Sequence, residues 1–294
     1  MNKFTRRTVI AAACAAAAMT FGPMSFAQQA PEKKDVTIAV GGKSLYYYLP
    51  LSIAEQLGYF KDEGLNVKIV DFQGGSRSLQ AVVGGSADVV SGAFEHTISM
   101  QAKKQPMTAF VLQGRAPQLA LVVSNKTMKD YKQLSDLKGK KVGVTAPGSS
   151  SQMVANFILK KGGLGPKDVA FIGVGSSSGA VSAIRSGQID ALINLDPVIT
   201  ILLKNGDAKL VADTRKVKES ESFFGGTMPA GCLYAPVSFI EKNPQTVQAL
   251  TNAIVRADEW LSKATPEEVA KVVPASYLMG NRDIYLAGFE GNRD

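Results

Sequence analysis

Short strand patterns and amphipathic helix patterns alternate along most of this chain, and the alternation occurs twice. The first run begins with the β-branched stretch at Val36, and the same order restarts at Lys141. Strands that alternate with helices usually pack as a parallel sheet covered by helices. The sequence therefore predicts an α/β protein that contains two mostly parallel sheets.

The boundaries of these segments follow from periodicity and from Gly and Pro residues. The predicted strands are 36–40, 67–70, 87–91, 108–112, 119–123, 141–145, 169–174 and 189–195. The predicted helices begin at Pro50, Ser76, Glu95, Ser149, Gly179, Pro244, Pro266 and Arg282. We expect Asn243 and Thr265 to cap the helices that follow them.

One motif occurs in both runs. A small-residue turn, a short amphipathic helix and a Gly-x-x-Asp turn before a buried strand extend from Gly75 to Asp88, and again from Ser177 to Asp190. This repeat favours two lobes of similar fold. A chance match between two unrelated strand-helix-strand units is the alternative.

The first 27 residues have the composition of an export signal. Basic residues precede an apolar run, and Ser25-Phe26-Ala27 supplies the small residues that a signal peptidase requires. We expect cleavage after Ala27 and a periplasmic protein, exported by the Sec or the twin-arginine route. The apolar run is shorter than a membrane span and no later stretch qualifies, so we expect the mature chain to be soluble.

Composition excludes several classes of function. Cleavage would lower the formal net charge from +8 to +5, and the remaining Lys and Arg are scattered, which is unlike a nucleic-acid-binding stripe. Only Cys232 would remain in the mature chain, and His96 is the single histidine, so neither a disulfide nor a Cys/His zinc site can form. No catalytic motif is present, and we expect His96 to be a partly exposed structural residue. The sequence predicts no enzyme, metal or cofactor.

Small polar residues recur where the predicted strands end. The five loops concerned are 41–44, 73–76, 92–95, 147–151 and 194–197. In open α/β sheets, ligands bind beyond the carboxyl ends of the strands, where helix N-termini present free N–H groups. Each loop alone is explained by helix capping, but their recurrence favours a ligand site in a cleft between the lobes. The candidate ligand-binding residues are Gly42, Lys43, Ser44, Gln73, Gly75, Ser76, Ala93, Phe94, Glu95, Arg115, Ser149, Ser150, Asn194 and Asp196.

A set of short segments carries a resemblance to a known family. The segments are AEQLGYF at 54–60, EGLNV at 63–67, QGGS at 73–76, LKGKKVGV at 137–144 and GSS at 148–150. They resemble the substrate-binding proteins of ABC importers for sulfonates, taurine, nitrate and thiamine-pyrimidine precursors. The resemblance implies a type II periplasmic-binding fold with crossovers near 114–118 and 224–230. It also implies closure of the lobes on a ligand, and docking to a permease and its ATPase in the inner membrane.

The resemblance also implies a division of the chain. Residues 28–116 would form the first part of lobe 1, residues 117–226 lobe 2, and residues 227–294 would return to lobe 1 with the C-terminal helices. We expect a monomer. Proteins of this family usually continue past the equivalent point, which leaves open whether the C-terminus is native or truncated.

The charges in the predicted loops point to different ligands. Lys43, Arg115 and the serine-rich helix starts favour a sulfonate, carboxylate or nitrate. Glu95 and Asp196 favour a ligand that also carries an ammonium group or a ring N–H. We expect a small organic anion or zwitterion, such as an alkanesulfonate. Two alternatives stay open: a thiamine-pyrimidine synthase of the same superfamily, which uses a cysteine-rich motif that this chain lacks, and a binding protein that serves a sensor.

Overall fold

The computed structural model, which describes residues 29–228 and 230–292, contains two five-stranded sheets. The strands of the first sheet are β1 (Asp35–Val40), β2 (Asn66–Asp71), β3 (Val89–Ala93), β4 (Met107–Leu112) and β10 (Gly231–Pro236). They lie in the order β2-β1-β3-β10-β4, and β10 is the antiparallel strand. This sheet and its helices form the first lobe.

The second sheet repeats this arrangement. Its strands are β5 (Ala120–Ser124), β6 (Lys141–Val144), β7 (Ala170–Gly173), β8 (Ala191–Asn194) and β9 (Ala208–Asp213). They lie in the order β7-β6-β8-β5-β9, with β5 antiparallel. This sheet and its helices form the second lobe. The prediction of two mostly parallel sheets flanked by helices is confirmed.

Helices cover both sheets. They are α1 (Leu49–Gln56), α2 (Tyr59–Asp62), α3 (Gly75–Val83), α4 (Glu95–Ala102), α5 (Ser150–Lys161), α6 (Ser178–Ser186), α7 (Val198–Lys204), α8 (Val217–Phe224), α9 (Val237–Lys242), α10 (Pro244–Lys263), α11 (Pro266–Val272) and α12 (Arg282–Gly291). Single 3₁₀ turns occupy Tyr46–Tyr48, Leu134–Leu137 and Ala275–Leu278. Within the described ranges, no helix is both long enough and apolar enough to cross a lipid bilayer.

Residues 31–294 form one compact unit, which contains every element given above. The predicted export signal at residues 1–27 lies outside the described residues.

Asp88 and Asp190 explain the repeated motif. The Asp88 carboxylate accepts a hydrogen bond from Thr37 N at the start of β1 (2.9 Å), and Asp190 accepts one from Lys141 N at the start of β6 (3.0 Å). Each acidic residue thus ties the turn before a buried strand to the neighbouring parallel strand. The repeat is a structural device that both lobes use.

Strands β9 and β10 were not predicted, and β3 begins two residues later than expected. Residues 231–235 of β10 are buried on both faces, so the strand lacks the alternation that marks a half-exposed strand, and its Gly and Pro are poor strand formers. The chain after residue 195 therefore contains more sheet than its local pattern indicates.

The capping of α10 corrects a second expectation. The helix begins at Pro244, but the Asn243 side chain donates to Phe239 O (2.8 Å) and caps nothing. The carboxylate of Glu32 instead accepts hydrogen bonds from Gln245 N (3.1 Å) and Thr246 N (3.0 Å). A residue distant in sequence therefore supplies the cap. The predicted capping box at Thr265 is confirmed.

Candidate functional site

The carboxyl ends of the parallel strands in the two lobes face each other, and the loops that follow them are in contact. Beyond β1 and β8, Tyr46 N donates to Asp196 O (3.1 Å). Beyond β2 and β6, a Cβ atom on Gly74 would lie 2.7 Å from Ala146 Cβ. This distance is too short for two carbon atoms, so only glycine fits at position 74. We call the space between the carboxyl ends of the two sets of strands the interlobe cleft. In this structure its walls touch directly.

Ser76 and Ser149 form the most specific of these contacts. The hydroxyl of Ser149 accepts a hydrogen bond from Ser76 N (3.0 Å) and donates to Ser76 Oγ (3.2 Å). Ser76 Oγ in turn donates to Pro147 O (2.9 Å). Ser149 occupies the N-cap position of α5 and is 1% exposed, yet its hydroxyl does not cap that helix. The two predicted serines therefore bind each other across the cleft.

Aromatic rings and two titratable side chains lie in the first lobe, in the segments that follow β1 and β3. Tyr47 and Tyr48 are buried with their rings edge to face, at a centroid separation of 5.0 Å. Glu95 opens α4 close by, and its Oε2 atom has no hydrogen-bond partner among the described residues. Burial raises the pKa of Glu95 to about 7, because a desolvated carboxylate favours its neutral form.

His96 is 1% exposed, so the expectation of partial exposure is wrong. The start of α3 covers it, since a Cβ atom on Gly75 would lie 3.1 Å from His96 Cε1. His96 Nδ1 lies 2.9 Å from Tyr234 Oη, and the ring also interacts with the backbone of Gly148 in the second lobe. Burial lowers the pKa of His96 to about 4, which favours the neutral ring near neutral pH.

Protein partners compensate two of the charges that were predicted to select the ligand. Lys43 Nζ lies 2.6 Å from a carboxylate oxygen of Glu55. Asp196 is 1% exposed and accepts hydrogen bonds from Arg215 Nη1 (3.1 Å) and Asn292 Nδ2 (2.6 Å). Both charges therefore contribute to internal ion pairs in this structure.

A cavity of about 420 Å³ lies beside the first crossover, at the β4 and β9 edge of the cleft. We call it the hinge cavity. It is lined by Tyr46, Leu49, Pro50, Leu112, Gln113, Gly114, Arg115, Ala116, Gln118, Arg215, Asp258, Leu261, Ser262, Phe289 and Asn292. Residues of both lobes and of the C-terminal helices therefore meet in one concave surface.

A second cavity, of about 490 Å³, lies at the opposite edge of the cleft beside β2 and β7. We call it the edge cavity. It is lined by Gly42, Ser44, Asp71, Phe72, Gln73, Arg77, Thr145, Ala146, Pro147, Gly173, Val174, Gly175, Ser176, Ser177 and Gly179. Its wall is more polar than that of the hinge cavity.

The predicted site residues divide between these places. Those in the edge cavity are Gly42, Ser44 and Gln73, while Arg115 lies in the hinge cavity. Those at the contact between the lobes or next to it are Gly75, Ser76, Ser149 and Ser150. Ala93 and Phe94 pack with core residues of the first lobe. The Asn194 side chain bonds inside the second lobe, donating to Gly175 O (3.0 Å) and accepting from Leu195 N (2.9 Å).

Sequence reasoning missed most of the polar lining of the hinge cavity. Gln113, Arg215 and Asn292 follow β4, β9 and α12; β9 was not predicted, and only the start of α12 was. Asp258 had a usable signal, because it lies within the apolar stripe of α10 formed by Ile254 and its neighbours. Burial raises the pKa of Asp258 to about 7.

Comparison with known protein families identifies one match over most of the chain. Residues 46–269 match the family described as NMT1/THI5 like. YtlA of Bacillus subtilis, named as a candidate binding protein, is 25% identical over 293 residues, which cover 99% of this chain and 84% of that protein. The 4-amino-5-hydroxymethyl-2-methylpyrimidine phosphate synthase of Aspergillus parasiticus is 25% identical over 268 residues, covering 86% and 75% of the two chains.

Solved structures of similar fold extend this result. A protein of Bordetella bronchiseptica RB50 is 61% identical with a TM-score of 0.89, over 90% of this chain and 83% of that chain. The alkanesulfonate-binding protein SsuA of Xanthomonas axonopodis pv. citri, bound to MOPS, is 20% identical with a TM-score of 0.66, over 86% and 84%. The periplasmic nitrate-binding protein NrtA of Synechocystis PCC 6803 is 18% identical with a TM-score of 0.69, over 85% and 70%.

Proposed function

The chain belongs to the NMT1/THI5-like family and has the fold of periplasmic binding proteins, and from this premise we propose that it is the exported substrate-binding component of an ABC importer. The observation that carries the proposal is that the carboxyl ends of the strands in the two lobes face each other and are joined by Ser76 and Ser149. Ligands of open α/β sheets bind beyond the carboxyl ends of the strands. On this proposal, the monomeric protein captures its ligand between the lobes and delivers it to a permease.

Closure of the lobes supplies the capture step. Two crossovers join the lobes, between Leu112 and Ala120 and between Asp213 and Gly231, so rotation at these segments opens and closes the cleft. The contact between Ser76 and Ser149 exists only when the lobes are together. A ligand that binds both lobes therefore shifts the equilibrium toward the closed form.

The proposed ligand is a small organic anion or zwitterion, with a sulfonate favoured. Cations and hydroxyl groups lie in both cavities: Arg77, Ser176 and Ser177 in the edge cavity, and Arg115 in the hinge cavity. Arginine and hydroxyl donors suit the oxygens of a sulfonate or carboxylate. The neighbours named for alkanesulfonate and nitrate share the fold, which is compatible with this choice.

Titration calorimetry of the purified protein tests the proposal. The panel contains alkanesulfonates, taurine, small amino and carboxylic acids, nitrate and aminopyrimidines. We expect one chemical class to bind with a dissociation constant in the micromolar range or below, and one molecule per chain. Absence of saturable binding across the whole panel would contradict a role in capturing these solutes.

Synthesis of the thiamine pyrimidine is a second candidate function, because the synthase of Aspergillus parasiticus is similar over 86% of the chain and His96 lies buried beside the start of α3. The sequence has only two cysteines, Cys14 and Cys232, which does not match the cysteine-rich motif of that enzyme class. We propose binding without turnover. Mass spectrometry of the bound molecule after prolonged incubation should recover it unchanged, and a stoichiometric or catalytic product would favour the enzyme.

Export is part of the proposal and has its own test. We expect the mature chain to begin at Gln28, because Ser25-Phe26-Ala27 precedes it. Mass spectrometry of the protein recovered from the periplasm of an expressing cell gives the N-terminus directly. Periplasmic material that retains Met1 would contradict cleavage at this site.

A further inference from the structure

The hinge cavity contains buried hydrogen-bond acceptors that are not satisfied by the described residues. Gln118 Oε1 and Asn292 Oδ1 are buried atoms without a partner among the described residues, and both residues line the cavity. The Asn292 amide nitrogen is already committed, since it donates to Asp196 Oδ2 (2.6 Å) and Gly288 O (2.8 Å). This fixes the amide orientation and leaves its oxygen free to accept. Buried acceptors of this kind normally have a donor.

Asp258 adds a carboxylate to the same wall. It lies on α10, is half-buried, and forms no hydrogen bond or ion pair with any described residue. Burial is the cause of its raised pKa. A buried carboxylate is stable in its charged form only beside a cation or hydrogen-bond donors.

The donors of the cavity belong to the segment after β4. The Gln113 side chain is 6% exposed, its Oε1 atom accepts from Ser91 Oγ (2.8 Å), and its Nε2 atom has no acceptor among the described residues. Arg115 is exposed and forms no ion pair within the described part of the chain. The charge of Arg215, by contrast, is compensated by Asp213 and Asp196.

We propose that the hinge cavity binds a small zwitterion, with its ammonium group on the acceptors Asp258, Gln118 and Asn292 and its acid group on Gln113 and Arg115. This inference rests on the proposed function and names the ligand class and the site. A volume of about 420 Å³ lies within the usual range of small-molecule sites. The apolar residues Leu49 and Leu261 line the same cavity and suit a short aliphatic spacer between the two charged groups.

Paired ligands in titration calorimetry test this inference. The zwitterions are taurine, β-alanine, 4-aminobutyrate and the common L-amino acids, and the matched anions without an ammonium group are isethionate, ethanesulfonate, propionate and butyrate. We expect at least one zwitterion to bind about tenfold or more tightly than its matched anion, which is the scale of one charge-assisted hydrogen bond. Asp258→Asn should remove that preference, and Arg115→Gln should weaken binding of zwitterions and anions alike.

Glu259→Gln is the matched control, because it removes an exposed carboxylate one residue further along α10. It should keep the preference of the wild type. Thermal melting checks that each variant is folded. Equal affinity for anions and zwitterions, or an Asp258→Asn variant that keeps the preference, would overturn the inference while leaving solute binding intact. Absence of binding in both sets would contradict the inference and the proposed function together.

Discussion

At the scale of single residues, the hydroxyl of Ser149 links the two lobes. It is buried, accepts from Ser76 N and donates to Ser76 Oγ, so it serves the closed arrangement and not its own helix. Ser150 is the next residue, is only half-buried, and its hydroxyl has no hydrogen bond among the described residues. Two adjacent serines therefore have different roles.

Replacing Ser149 with Ala should lower affinity for the tightest ligand about tenfold. In the closed form the variant leaves Ser76 N without an acceptor, which costs about 1 to 3 kcal/mol, and about 1.4 kcal/mol corresponds to a tenfold change. Titration calorimetry measures the effect, and melting of the unliganded protein tests for a separate loss of stability. Ser150→Ala is the control and should bind as the wild type does. Equal affinity of all three proteins would show that the serine contact does not contribute to closure.

Glu95 should make stability depend on pH. Its pKa is raised to about 7 by burial, so between about pH 4.5 and 7 the folded protein binds more protons than the unfolded chain. The stabilisation from this extra proton on Glu95 is fully present below pH 4.5 and is lost as pH rises through 7. Glu95→Gln should therefore be more stable than the wild type at pH 8, by at most about 3 kcal/mol, and no more stable at pH 4. Urea unfolding across this pH range measures the effect, and Glu259→Gln is the charge control. A difference in free energy of unfolding between Glu95→Gln and the wild type that did not change with pH would contradict the account.

At the scale of elements, segments with their own local signals could be predicted from the sequence. The helix that begins at Pro244 and the capping box at Thr265 are examples, because proline and the cap residues act within one turn. Strand β10 and the cap supplied by Glu32 could not be predicted in this way. The position of β10 depends on β3 and β4 on either side of it, and Glu32 reaches α10 only after the chain has folded back.

The cap of α10 gives a stability prediction. Replacing Glu32 with Ala should lower the free energy of unfolding by about 1 kcal/mol, because Gln245 N and Thr246 N lose their acceptor. Denaturant unfolding measures the change. Glu241→Ala removes an exposed carboxylate that caps no helix among the described residues, and it serves as the control. If the two variants were equally stable, the contact between Glu32 and α10 would contribute nothing.

At the scale of the whole molecule, helix α12 contacts both lobes. Tyr285 and Phe289 lie against Tyr46 in the first lobe, with ring centroids 4.8 and 6.4 Å apart. Ile284 packs on the core of the second lobe, and Asn292 bonds to Asp196 there. The hinge cavity is built from residues that are far apart in sequence and meet only through this arrangement. The residues that line the hinge cavity could therefore not be predicted from local patterns, whereas the loops at the carboxyl ends of the strands could.

The central claim is that a ligand holds the two lobes closed, and a distance across the interlobe cleft tests it most directly. Spin labels at Gln80 on α3 and Lys160 on α5 are suitable, since both positions are exposed and the native Cys232 is buried. Pulsed electron paramagnetic resonance would compare the free protein with the protein saturated by its tightest ligand. We expect the free protein to include longer distances, and the ligand to narrow the distribution onto the distance of the closed structure. An identical distribution with and without saturating ligand would contradict closure.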